Sequence, residues 1–284
     1  MIRRWRRPVH LSGVDGVGHT RRERVATMQH ARRFASTAVV AALAACTLSA
    51  CRAEPDVAAY VGDSTITEAR VEAVYADAER KLTATAETVR AQQSANPDAN
   101  AQAVPEKVQL SIKRRDVLEA LLGERVLGDI AKQRNVKPAE IPTAQVAQSV
   151  GLPESAEYVG VYTRYRAYLS GLAATAKPVN ASQADLRQVY DRFKSAGGFG
   201  AEPVPFEQFA GGLNQQDQAA LAQSIGLREQ IRPDVEKLDL TVNPRYGVDE
   251  LSLLPFTSQN RGSVTLIGVP LTTGSDGSAV VERP

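Results

Sequence analysis

Histidine stops at His30, methionine at Met28 and cysteine at Cys51, and the single tryptophan is Trp5. From residue 52 onward the chain has none of the four. That part therefore cannot use Ser-His-Asp or Cys-His catalysis, histidine-ligated metal, zinc ribbons or internal disulfides. Carboxylate, lysine, tyrosine and serine are what remain for chemistry. A basic excess is missing too. The whole chain carries 34 Lys and Arg against 32 Asp and Glu, but residues 1–50 take nine of the bases and two of the acids. From Cys51 onward 25 bases face 30 acids, a net charge of −5. Nucleic-acid binding rests on clustered Lys and Arg, so no nucleic-acid partner is expected. The acids Asp77, Glu79 and Glu87 lack the spacing of a catalytic pair, and neither cofactor nor metal is expected.

What is there begins with a leader. Arg32 and Arg33 precede an apolar segment, Phe34 to Ala50, shorter than the ~20 residues a helix needs to span a bilayer. The segment ends in Leu48-Ser49-Ala50-Cys51, which resembles the lipobox of bacterial lipoproteins. The resemblance implies cleavage before Cys51, a diacylglycerol thioether on its sulfur and palmitate-type acylation. The mature protein would then be lipid-anchored on the extracytoplasmic face of the cell membrane. Acyl chains at ~0.8 kcal/mol per buried CH₂ make that attachment durable. Leu43-Ala44-Ala45-Cys46 is a second match, but cleavage there would leave a free thiol in the tether, so Cys51 is preferred. Residues 1–27 fit neither signal nor fold, and Met28 reads as the start of the precursor. Residues 28–50 are then the signal peptide and 51–56 a polar tether.

Helical periodicity dominates the rest, with a strand at each end. Val57–Val61 reads as a strand closed by a Gly62-Asp63-Ser64 turn, and Thr67 is placed to cap a helix carrying Val71, Val74, Tyr75, Ala78 and Leu82. Pro105 opens a second helix to about Arg134, the most apolar, with Leu118, Leu121, Leu122, Val126 and Ile130. A short helix is expected over Gln145–Val150 and a third long one from Pro153 to about Thr175. Ser182 and Asp185 form a capping pair before another helix that stops at Gly197-Gly198. Pro205 to about Arg232 gives one or two more. Leu238–Val242 is the closing strand, expected to pair with Val57–Val61. Ser263–Val269 and Ala279–Glu282 are expected to form a hairpin, with a flexible tail over 251–284 as the alternative. The fold class is mostly α, a single helical domain over residues 57–250 with short paired end strands.

The run Val57 to Glu68 resembles the opening strand, tight turn, "Ile-Thr" and first helix of SurA/PrsA-type extracytoplasmic folding factors. Asn243-Pro244-Arg245-Tyr246-Gly247 is similar to the closing motif of lipoproteins carrying that N-terminal module. The likeness covers residues 57–250. It implies a helical chaperone module that binds unfolded segments of exported proteins without ATP. Family members often insert a parvulin peptidyl-prolyl isomerase domain of about a hundred residues. Here only about forty residues separate the Ser182 helix from Leu238, and they read as helix without histidine, so an isomerase domain is not expected. The functional expectation is a membrane-anchored holdase for unfolded or partly folded polypeptides. The alternatives are a parvulin-type isomerase or a scaffolding lipoprotein of the cell envelope.

For client binding the candidates are Tyr158, Tyr162, Tyr165, Tyr168 and Leu169, since tyrosine joins a broad apolar face to a hydroxyl. Helical spacing puts Tyr162, Tyr165 and Leu169 in the core, and Tyr158 and Tyr168 are expected to be exposed. Asn243 to Gly247 reads as structural, with Pro244 stopping the strand, Gly247 turning the chain and Arg245 pairing with an acid. Lys113-Arg114-Arg115-Asp116 reads as solvated-face charge beside Glu119 and Glu124, with i,i+4 partners in reach.

Overall fold

Pairing of the two ends organises the molecule. In this computed structural model, which describes residues 56–95, 109–200, 202, 204–258 and 262–271, strand β1 (Val57–Val61) is the middle of a three-stranded antiparallel sheet. One neighbour is β2 (Ser64–Thr67), reached through a turn in which Gly62 has a φ of +56°. The other is β3 (Leu240–Val242), with Ala59 opposite Val242 and Val61 opposite Leu240. The expected end-strand pairing is present, and β2 is an addition to it. Val57, Ala58, Ala59 and Val61 are all buried, which explains an apolar run instead of a two-residue alternation. The leader, Cys46 and Cys51, Pro105 and residues 279–282 lie outside the described residues.

Helix α1 (Glu68–Ala95) starts where the Thr67 hydroxyl accepts the Arg70 amide at 3.1 Å and buries Val71, Val74 and Ala78. Helix α2 (Arg114–Gln133) begins well after Pro105, a correction with a local cause. Residues 109–113 are not helical, and the Asp116 carboxylate accepts the Lys113 amide at 2.8 Å, fixing the helix start there. Its ten buried residues make it the central helix, touching β1, α1 and several of the later elements. After α3 (Thr143–Val150), helix α4 (Glu157–Thr175) starts four residues later than Pro153 suggests. There the Glu157 amide donates to Asp77 of α1 at 2.8 Å, so an acid from another helix serves the first turn.

Helix α5 (Gln183–Ser195) opens with the expected Ser182–Asp185 capping box. It is followed by α6 (Phe206–Gly212) and by α7 (Gln215–Lys237), which Asn214 caps through the Asp217 amide. A single 3₁₀ turn, Pro244–Tyr246, leads from β3 to a hairpin of β4 (Glu250–Ser258) and β5 (Gly262–Pro270). Ser263–Val269 does enter a hairpin, with Glu250–Ser258, a pairing that was not expected; the partner that was expected, residues 279–282, lies outside the described residues. Leu251, Leu253, Ile267, Val269 and Leu271 are buried in the same core as the helices, and that burial selects the partner.

Two linkers dock alike. After α2, Lys137-Pro138-Ala139 crosses α4, the Ala139 amide donating to Ala167 O at 2.9 Å while the Lys137 carbonyl lies over Gly171. After α4, Lys177-Pro178-Val179 crosses α7, the Val179 amide donating to Ala222 O at 2.9 Å while the Lys177 carbonyl lies over Gly226. In each case a glycine four residues beyond the accepting carbonyl leaves room for the crossing backbone. Elsewhere α2 and α4 pack through Gly123, which leaves no room for a side chain beside the Tyr165 ring, and Gly128, where an added Cβ would lie 3.2 Å from Tyr168.

Candidate functional site

The tyrosine stripe is mostly interior. Tyr158, Tyr165 and Leu169 are buried, so the expected exposure of Tyr158 is corrected; Tyr162 and Tyr168 are half-buried. Tyr158 stacks on Tyr162 at 5.6 Å between ring centroids, and Tyr162 meets Tyr165 edge-on at 5.8 Å. The Tyr165 hydroxyl donates to Ser252 O of β4 at 2.5 Å. Burial raises both Tyr158 and Tyr165 well above the usual phenol value. Three of the five residues chosen as client contacts are therefore in the core, where Tyr165 ties α4 to α2 and to the hairpin. The steps of three and four that marked them belong equally to a core-facing stripe.

The charge cluster on α2 is also more structural than its sequence suggests. Arg114 grips Glu72 of α1 at 2.6 Å and lies over the Tyr75 ring at 4.2 Å. Glu124 pairs with Arg164 of α4 at 2.5 Å. Neither is an i,i+4 partner within the helix. Glu119 faces inward. Desolvation, with Asp116 adding repulsion, pushes its carboxyl up to about 7, although Arg115 and the Ser252 amide at 3.3 Å favour the charged form. The closing segment is tied to β1 and α1. Asn243 is buried, donates through its side chain to Val57 O at 3.2 Å and accepts the Arg245 amide at 3.2 Å. Arg245 pairs with Glu68, and Gly247 has a φ of +61°.

A shallow groove of about 610 Å³ runs between the ends of α2 and α4 and the side of α7. Its Arg134 is already engaged by Asp234 and by Gln230 O, and its Glu229 by Arg228 and Arg232. No set of groups converges on a ligand there.

The feature that sequence reasoning missed is aromatic. Phe193 and Tyr190 on α5, Phe199 in the following loop, Phe206 and Phe209 on α6, and Phe256 on β4 form one cluster. Phe193 lies 4.5 Å from Phe256 and 4.9 Å from Phe199, and Tyr190 lies 5.3–5.7 Å from Phe199, Phe206 and Phe209. Tyr190 and Phe206 are buried, and Phe193, Phe199, Phe209 and Phe256 are half-buried. Among the described residues, Val179 is the one large apolar side chain that stands exposed. Cations rim the cluster, with Arg187 at 3.6 Å over Phe206 and Lys194 at 5.9 Å from the Tyr190 ring. A signal was available in the sequence. Five of its six phenylalanines fall between residues 193 and 256, four of them within 193–209.

No protein-family model, no curated protein and no solved structure matches this chain. Among the described residues no helix is long and apolar enough to cross a membrane.

Proposed function

We propose that this protein is a lipid-anchored, ATP-independent extracytoplasmic chaperone that holds apolar segments of exported polypeptides at its aromatic cluster. The observation that carries the reading is the contact of the half-buried Phe193, Phe199 and Phe256, with Phe209 of α6 packed on the first two and cations on the rim. Aromatic faces offer large contact areas without demanding a particular sequence, and contiguous apolar surface of this kind marks interaction sites. Two further observations support it. The strand–turn–helix entry and the Asn243–Gly247 closing segment resemble SurA/PrsA-type folding factors, and their strands pair. The lipobox-like sequence ending in Cys51 would anchor the protein where clients emerge. Binding is reversible because many weak apolar contacts contribute and no covalent step is involved.

The test is suppression of aggregation, followed by light scattering, for several unrelated unfolded polypeptides. The wild-type protein is expected to suppress all of them. A Phe193→Ser/Phe199→Ser variant that keeps its helical circular dichroism is expected to do so at least tenfold less well. Capture of one stoichiometric partner, with no effect on unrelated clients, would identify a scaffolding lipoprotein instead. In cells, labelled palmitate is expected on the wild-type protein and not on Cys51→Ser.

A further inference from the structure

Helix α6 sits on the aromatic cluster in the manner of a bound peptide. It has seven residues, too few to be stable alone, and its main neighbour is α5. Phe206 is the residue it buries, and Phe209, three positions on, is half-buried. These two rings meet Tyr190, and Phe209 also meets Phe193 and Phe199 at 6.1 and 5.7 Å. The Tyr190 hydroxyl also holds the segment, donating to Val204 O at 2.7 Å. Its only acid, Glu207, follows the Phe206 ring over which the Arg187 guanidinium sits. Glycines stand on both sides of the helix. Gly200 has a φ of +73°, Gly211 and Gly212 close the helix, and a side chain at any of the three would meet open space.

We propose that α6 is a displaceable internal occupant of an apolar peptide groove formed by Tyr190, Phe193, Phe199 and Phe256. The incoming partner is a polypeptide segment able to form one or two helical turns with two large apolar side chains three residues apart. An acidic residue beside them would suit the Arg187 and Lys194 rim. The inference rests on the chaperone reading for its biological client but not for its physical content. Swinging α6 away exposes Tyr190 and the inner faces of Phe193 and Phe199. The incoming segment replaces the contacts α6 gave up, so the groove is never left bare when no client is present. Docking of α6 competes with client binding, so removing the α6 anchors strengthens binding.

The experiment compares the full-length protein with a Phe206→Ser/Phe209→Ser variant. Two probes are used: a peptide of residues 204–213 and a permanently unfolded polypeptide. The variant is expected to bind the peptide at least tenfold more tightly than wild type does, and the unfolded polypeptide likewise. Equal or weaker binding of the peptide by the variant overturns the inference, because α6 would then be a fixed part of the surface. Peptide bound tightly by the variant, with neither protein binding unfolded polypeptide, upholds the displaceable helix and removes the chaperone reading. If the variant fails to fold, native-state hydrogen exchange of the wild type decides. The amides of Phe209 to Gly212 are expected to exchange at least a hundredfold faster than those in the middle of α5. Exchange at the same rate as α5 overturns the inference.

Discussion

Glu119 shows how a single residue on an apparently solvated helix face can cost stability. Its folded pKa of about 7 lies above the ordinary 4.5, because burial next to Asp116 disfavours the ionised form. The folded protein therefore binds a proton more tightly than the unfolded chain. That stability is fully present below pH 4.5 and is lost as pH rises to and through 7. The difference amounts to about 3 kcal/mol at most, taking 1.36 kcal/mol per unit. Glu119→Gln keeps an acceptor for the Ser252 amide and removes the titration. Urea denaturation of this variant is expected to give higher stability than wild type at pH 8, a much smaller difference at pH 5 and a flatter pH profile between. Sequence alone could not show this, since Glu119 and Glu124 carry the same side chain on one helix. What separates them is what crosses above, β4 over Glu119 and Arg164 beside Glu124.

At the scale of elements, periodicity located every long helix, while two of their starts depended on caps that the proline signals did not show. The Glu157 start depends on Asp77, and the Arg114 start on a local Lys113–Asp116 cap that outweighs the Pro105 signal. The paired linker crossings had no fixed period to reveal them. Ala139 and Ala167 are 28 residues apart, whereas Val179 and Ala222 are 43 apart. Gly171→Ala and Gly226→Ala would each drive a methyl group into a backbone carbonyl and displace the bond to Ala167 or Ala222. Each is expected to cost about 1–3 kcal/mol, the range for overpacking a tight site. Gly212→Ala, which meets open space, is expected to change stability by less than ~1 kcal/mol. Thermal and urea unfolding of the three variants would check the contrast.

For the whole molecule, closure joins chain segments about 180 residues apart, with Ala59 opposite Val242, and the hairpin beyond it completes the core. The end-strand pairing was legible because apolar strands flank an otherwise helical chain. The hairpin register was not, because Glu250–Ser258 interrupts its β-pattern with Pro255 and two irregularities in pairing. Five buried aliphatic side chains, Leu251, Leu253, Ile267 and Val269 of this hairpin and Leu271 just after it, enter the core. At about 1.5–3 kcal/mol each they equal roughly the whole stability of a domain. A chain ending at residue 250 is therefore expected to lack cooperative unfolding and a native circular dichroism spectrum. The aromatic cluster draws on the same long-range assembly, because Phe256 joins Phe193 only once the hairpin is seated.

Hydrogen–deuterium exchange of the full-length protein, with and without a saturating unfolded polypeptide, tests the central claim most directly. The account predicts client-dependent protection concentrated in residues 187–200 and 254–256, with exchange in residues 206–212 unchanged or faster as α6 gives way. Protection confined to the α2–α4 face, or none anywhere at saturation, would contradict it.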